Sequence, residues 1–219
     1  MVARLQLRGV WFRYSRNEDY VLRGVDLELR DSELAVITGP NGSGKTTLIL
    51  VAAGLLKPEA GEVLLDGRSI YDQLPLARRR IGVTFQNPDD QFFNATVYDE
   101  IAFALRQLEG DEGVIRERVA EVARRLRVEH LLSRPPYRLS GGEKTKVALA
   151  AVLIYNPEIL LLDEPTAYLT RESKEEVLRA LKDLKCLGRA VAITTNDPEV
   201  ARLPADKTYT LANGMLYQG

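Results

Sequence analysis

Nine consecutive residues carry the clearest chemistry in the chain: Gly39-Pro40-Asn41-Gly42-Ser43-Gly44-Lys45-Thr46-Thr47. They fit the spacing G-x-x-x-x-G-K-[ST]. Glycines in such a loop let the backbone curl until successive N–H groups point at phosphate oxygens, and a helix beginning behind it adds its dipole. In this pattern Lys45 neutralises β- and γ-phosphates, and the Thr46 hydroxyl reaches Mg²⁺. The context agrees. An apolar run, LAVIT at 34–38, precedes the loop, and Leu48, Val51, Ala52 and Leu55 follow it at helical spacing.

Two further groups have the types such a site needs. Ile159-Leu160-Leu161-Leu162-Asp163-Glu164 is an apolar run ending in two acids. By itself that ending marks only a strand stop. Beside a phosphate cradle, Asp163 can hold Mg²⁺ through water, and Glu164 can orient or deprotonate an attacking water. Leu139-Ser140-Gly141-Gly142-Glu143 opens a helical pattern through Val147, Ala150, Ala151 and Ile154. Ser140 followed three residues later by Glu143 is a capping box. A Ser-Gly-Gly helix start is also a second place for a phosphate, and both readings can hold together.

These residues need elements to position them. The stretches 4–14 and 25–29 alternate apolar and polar residues, as half-buried antiparallel strands do. The runs 34–38, 159–162 and 190–194 are nearly continuously apolar, which suits strands buried on both faces of a parallel sheet. Helical patterns follow them at 45–54, 171–187 and 198–203. Between Gln86 and Pro157 the pattern turns to amphipathic helices at 96–108, 113–126 and 142–155. The expected fold is therefore α/β, a P-loop nucleotide-binding core with a mostly parallel sheet, an N-terminal antiparallel β subdomain and an inserted α-helical subdomain. One domain is expected over 1–219, its core in 1–86 and 157–219 and its helical insert in 87–156.

Composition bounds the rest. The formal net charge of -1 leaves no basic footprint for nucleic acid. The single cysteine, Cys186, excludes an internal disulfide and reads as a small residue near a helix end. Residues 1–9 carry charge and no apolar block, so no signal peptide is expected. The longest apolar run, 147–154, falls far short of the roughly 20 residues a bilayer span needs, so any membrane role must come through a partner.

The cradle, L-S-G-G-E and I-L-L-L-D-E-P, in this order, resemble the ATP-binding-cassette ATPases over essentially the whole chain. The resemblance implies ATP hydrolysis and a head-to-tail dimer in which each ATP lies between one cradle and the other subunit's L-S-G-G. It implies that Tyr14 stacks on adenine and that Gln86 reaches both Mg²⁺ and the attacking water. The stretch Val83-Thr84-Phe85-Gln86-Asn87-Pro88-Asp89-Asp90-Gln91-Phe92-Phe93, with 95–103 after it, is similar to energy-coupling-factor and cobalt or nickel importer ATPases. That likeness implies a peripheral subunit on the cytoplasmic face of the membrane, serving vitamin or cobalt/nickel uptake. The membrane partner would dock on Gln86 to Phe103 and would itself choose the substrate. Phe92, Phe93 and Val97 could serve that contact, or could be core of the subdomain.

Two departures bear on activity. Where the family reads A-G-L-D, this chain has Ala167-Tyr168-Leu169-Thr170, with Thr170 in place of the Asp. Where the family's switch histidine stands, this chain reads Thr195-Asn196-Asp197, and its one histidine, His130, lies far away. Asn196 can donate a hydrogen bond to a γ-phosphate but carries no charge. A site on this cradle is therefore expected to bind ATP and hydrolyse it slowly. Its intact L-S-G-G-E would complete a competent partner's site in a heterodimer, or Gln86 and Glu164 would suffice in a homodimer. The family's usual C-terminal extension does not follow Leu216, so dimerisation is expected mainly with ATP bound. Three rival roles stand beside the importer. A repair or translation ATPase usually has a coiled-coil insertion or twin cassettes, and neither is seen. An exporter cassette is disfavoured by Q-N-P-D-D-Q, and a non-hydrolysing regulatory module is favoured by Asn196 and Thr170.

Overall fold

The computed structural model describes residues 4–108, 110–167 and 169–219, apart from the side chains of 184–186. Tyr168, residues 1–3 of the N-terminal stretch and the side chain of Cys186 thus lie outside the described residues.

In chain order the strands are β1 (Leu5–Phe12), β2 (Leu22–Leu29), β3 (Leu34–Thr38), β4 (Ala60–Leu65), β5 (Arg68–Ser69), β6 (Ile81–Thr84), β7 (Ile159–Asp163), β8 (Ala190–Thr195), β9 (Lys207–Ala212) and β10 (Met215–Gln218). The helices are α1 (Lys45–Ala52), α2 (Leu76–Arg80), α3 (Val97–Arg106), α4 (Glu112–Leu126), α5 (Gly141–Leu153), α6 (Arg171–Cys186) and α7 (Pro198–Ala201). Two sheets result, an antiparallel one ordered β2-β1-β4-β5 and a larger one ordered β10-β9-β3-β8-β7-β6. In the larger sheet β9, β3, β8, β7 and β6 run parallel, and β10 alone is antiparallel at the edge.

The continuous apolar runs have a direct cause. Along β7, Ile159 and Leu161 face one core while Leu160 and Leu162 face another. Along β8, Ala190 and Ala192 join the first core, and Val191 and Ile193 the second. The first core lies between the two sheets with α1 inside it, and the second joins the large sheet to α3, α4, α5 and α6. A strand covered on both faces has no position left for a polar side chain.

The elements read from the sequence recur with shifted ends. The first helix stops at Ala52 rather than at 54, where Gly54 takes a left-handed φ of 70°. Two hairpins come in addition, and both turn on dipeptides suited to left-handed backbone: Asp66-Gly67 (φ 49° and 77°) and Asn213-Gly214 (φ 50° and 77°). Strand β6 is also additional. Its Gly82 has a packing reason: α5 lies so closely over it that a Cβ there would be 2.3 Å from Val152 Cγ1. Val97 is fully buried in the helical core, so of the three apolar residues weighed for partner contact it is packing; Phe92 is half-buried and Phe93 is 67% exposed.

Beneath the large sheet, at the N-terminal ends of its strands, Arg4 pairs with Asp31, Asp66 and Glu158, and Arg80 with Asp66 and Glu158. This lattice ties the antiparallel sheet to the core. It leaves the opposite, C-terminal ends of the strands for the site.

Gly82→Ala is expected to lower the urea unfolding midpoint, with a loss of about 1–3 kcal/mol from overpacking against Val152 and an unchanged m-value. An unchanged midpoint would mean that α5 lifts from β6 at no cost.

Candidate active site

Parallel register sets β3, β8 and β7 side by side and places Asp163 directly opposite Thr194. The loop from Gly39 leaves β3 and turns into α1 through Gly42 (φ 78°) and Gly44 (φ 102°). A side chain at Gly39 would put its Cβ 2.3 Å from the carbonyl oxygen of Leu211. Gly44 is the N-cap of α1 and offers no side-chain acceptor, so the helix's first N–H groups remain available to an anion.

Below the loop, the Thr46 hydroxyl donates to Asp163 Oδ2 at 2.6 Å and the Thr194 hydroxyl to Asp163 Oδ1 at 2.6 Å. Asp163 is 1% exposed. A buried carboxylate costs several kcal/mol unless its lone pairs are met, and here two hydroxyls meet them. Lys45 Nζ donates to the carbonyls of Gly39 (2.9 Å) and Pro40 (3.2 Å) and stands 3.5 Å from Glu164 Oε1. The buried Ser43 hydroxyl has no hydrogen-bond partner among the described residues, an unmet group in the cradle loop.

Tyr14, Asn41, Gly42, Gly44, Lys45, Thr46, Thr47, Gln86, Asp163 and Glu164 all line one open pocket of about 500 Å³. Gln86, Thr46 and Asp163 also line the adjoining one. Tyr14 is 58% exposed, sits edge-on to Phe12 and holds its hydroxyl 3.0 Å from Thr47 Oγ1, which leaves a ring face open to a planar ligand. Gly39, Pro40 and Ser43 of the same loop are not among the residues lining these pockets. Asn196 stands at the rim, its Nδ2 donating to Asn41 Oδ1 at 2.8 Å and its backbone N–H to Glu164 Oε2 at 3.0 Å.

Ser140, Gly141, Gly142 and Glu143 stand apart from these two pockets. They open α5, and both halves of the capping box are present: Glu143 N–H to Ser140 Oγ at 3.4 Å and Ser140 N–H to Glu143 Oε2 at 2.7 Å. The Ser140 backbone N–H and hydroxyl hold the Glu143 carboxyl below its usual range. The capping contribution is thus complete above the ordinary glutamate value and fades as pH falls through the lowered one. Thr170 accepts the Ser173 N–H at 3.4 Å at the start of α6, so threonine serves there as a cap while supplying no charge.

A triphosphate with magnesium fits these residues. The cradle presents N–H groups and an ammonium, and the Thr46–Asp163 pair sets two hard oxygens at its mouth. Among the described residues no cluster of three His, Cys, Asp or Glu side chains could hold a metal alone. Magnesium at a phosphate site needs none, since it keeps waters and takes one or two protein oxygens. Reading the sequence missed Val21, which walls the pocket beside Gly44, and the Thr194 hydroxyl on Asp163. Both arrive through long-range packing; the only local hint is a polar residue closing an apolar run.

A model of the ABC transporter family matches residues 22–167. An energy-coupling factor transporter ATP-binding protein, EcfA, of Methanothermobacter thermautotrophicus is 39% identical over 97% of this chain and 69% of its own. The solved CbiO1 of Clostridium perfringens, part of the ABC transporter complex CbiONQ, superposes with a TM-score of 0.89 at 33% identity, covering 100% of this chain and 89% of that one. A dimeric ATP-binding cassette in a post-hydrolysis state, bound to ADP and Pi, gives a TM-score of 0.90 at 30% identity over 98% of this chain and 97% of that one.

Thr194→Val keeps the shape and removes the hydroxyl from a buried carboxylate. It is expected to cost about 1.5–3 kcal/mol in chemical denaturation. A neutral result would mean that Asp163 finds another donor.

Proposed function

Since the chain belongs to the ABC transporter family and is an ATPase cassette, we propose that it energises an importer of the energy-coupling-factor type. The observation that carries the importer reading is the surface beside Gln86. Phe93 and the partly exposed Phe103 meet edge to face at 4.6 Å, an aromatic pair open on the helical layer. Underneath, the buried Glu100 carboxylate accepts the N–H groups of Phe93 (3.1 Å) and Asn94 (2.8 Å), which fixes how the pair is presented. The intervening segment is fastened to α5 by Lys144–Asp89 at 2.7 Å and by Gln91 Nε2 on the Ala148 carbonyl at 3.3 Å. A force applied at Phe93 would thus reach both Gln86 and the Ser140 end of α5. No helix among the described residues is long and apolar enough to cross a membrane, so the membrane part belongs to a partner subunit.

For the reaction, Tyr14 stacks on adenine, the N–H groups of 41–47 and Lys45 cradle the phosphates, and Thr46, Asp163 and Gln86 would hold magnesium. The metal supplies charge neutralisation on the phosphate oxygens. Glu164 orients the attacking water and takes up its proton, with Gln86 as the second contact to that water. Ser140, Gly141, Gly142 and Glu143 close over the nucleotide of a second cassette, a copy of this chain or a different subunit. Asn196 donates to the γ-phosphate where the family's histidine would. A neutral amide in place of a charged contact raises the barrier by several kcal/mol, on the order of transition-state donors elsewhere.

Magnesium-dependent ATP hydrolysis tests the reading. Wild-type turnover is expected to be slow, to rise at least about tenfold in Asn196→His and to vanish in Glu164→Gln. Fast wild-type turnover that Asn196→His leaves unchanged would sink the idea of a weakened site. For the partner surface, Phe93→Ala/Phe103→Ala is expected to abolish capture of the chain by the detergent-solubilised membrane subunits while the isolated ATPase rate stays the same. Undiminished capture would remove the aromatic pair from the interface.

A further inference from the structure

Glu164 has little freedom of its own. Its backbone lies at a left-handed φ of 46°, its N–H donates to the Thr194 carbonyl at 3.0 Å, and its side chain is buried. Two contacts aim the carboxylate: Lys45 Nζ 3.5 Å from Oε1, and the backbone N–H of Asn196 on Oε2 at 3.0 Å. The second depends on where the 196–197 turn sits.

That turn is pinned at both ends. On its far side, Asp197 donates its N–H to Thr195 Oγ1 at 2.9 Å, caps α7 by accepting the Glu199 N–H at 2.9 Å, and forms a short ion pair with Lys174 of α6. On its near side, Asn196 Nδ2 donates to Asn41 Oδ1 at 2.8 Å. An amide pair survives a joint exchange of O and N on both partners, with donor and acceptor trading places, so the link holds in either matched orientation. The geometry points to Asn41 as a positioning residue. Through its side-chain bond to Asn196 it holds the Asn196 N–H on Glu164 Oε2 and so keeps Glu164 aimed. In this chain a neutral amide pair thereby links the phosphate loop to the base across the mouth of the site. The inference rests on Glu164 acting on the attacking water.

Three variants test it: Asn41→Ala, Asn196→Ala and the double variant, assayed for ATP turnover and studied by hydrogen–deuterium exchange of the peptide spanning Asn196. Each single change is expected to lower kcat by about 10²-fold, the scale of a small misplacement at a reacting centre, with KM for ATP moving less than about threefold. The double variant should be no slower than Asn196→Ala alone, because Asn41 acts only through that link. Exchange at Asn196 should quicken by about tenfold in Asn41→Ala. A rise in KM with kcat intact, or losses that multiply, would make Asn41 a phosphate contact only and overturn the inference. If the wild-type chain proves not to hydrolyse ATP, the catalytic reading of Glu164 falls while exchange still decides the link: unaltered protection in Asn41→Ala refutes it. Should Asn41→Ala fail to fold, Asn41→Ser, which withdraws the amide and leaves the Asn196 side chain in place, carries the same two outcomes.

Discussion

A buried carboxylate between two hydroxyls organises this molecule. Asp163 closes β7, and its two oxygens take Thr46 from the start of α1 and Thr194 from the end of β8. Each bond joins a different element, so satisfying one charge fixes the phosphate loop and two neighbouring strands in a common frame. Burial makes the arrangement obligatory, because the carboxylate has little solvent to fall back on. The orientation of Lys45, the seat of Glu164 and the direction of the loop are all set relative to that frame.

Around it the architecture separates holding from moving. The ion-pair lattice of Arg4 and Arg80 and the first apolar core bind the two sheets at the base. At the outer edge of the site some groups that would meet a nucleotide are joined by single side-chain bonds, such as Asn196 to Asn41 and Tyr14 to Thr47. The helical layer has its own links, Lys144 to Asp89 and the packing of Gly142 against Ser173. Many bonds at the base and few at the rim suit a cassette whose rim must rearrange around its ligand.

Much of this could be read from residue order. The Gly39–Thr47 loop, the doubly covered strands and the Ser140–Glu143 cap all express rules acting over a few residues, and the fold follows them closely. Asp66-Gly67 and Asn213-Gly214 were equally local signals and were passed over. Other features belong to another class. Nothing near Thr194 in the chain says that its hydroxyl meets Asp163, 31 residues away, and nothing near Asn41 announces Asn196, 155 residues away. Gly82 belongs with them: the packing of α5 that leaves no room for a side chain there comes from far off in the chain. Val97 shows the converse, an apolar residue beside a loop whose burial only the assembled helical core decides.

Two of the three tightest glycines constrain descent in different ways. At Gly82 the obstructing atoms belong to side chains of Val152, Leu160 and Pro157, so a smaller residue at 152 could make room for a larger one at 82. At Gly39 the obstruction is the main-chain carbonyl of Leu211, an atom every amino acid carries. No exchange at 211 relieves it. Positions 82 and 152 can therefore drift together through a lineage, whereas position 39 has no compensating partner, and its glycine is held by backbone that mutation cannot reshape one residue at a time.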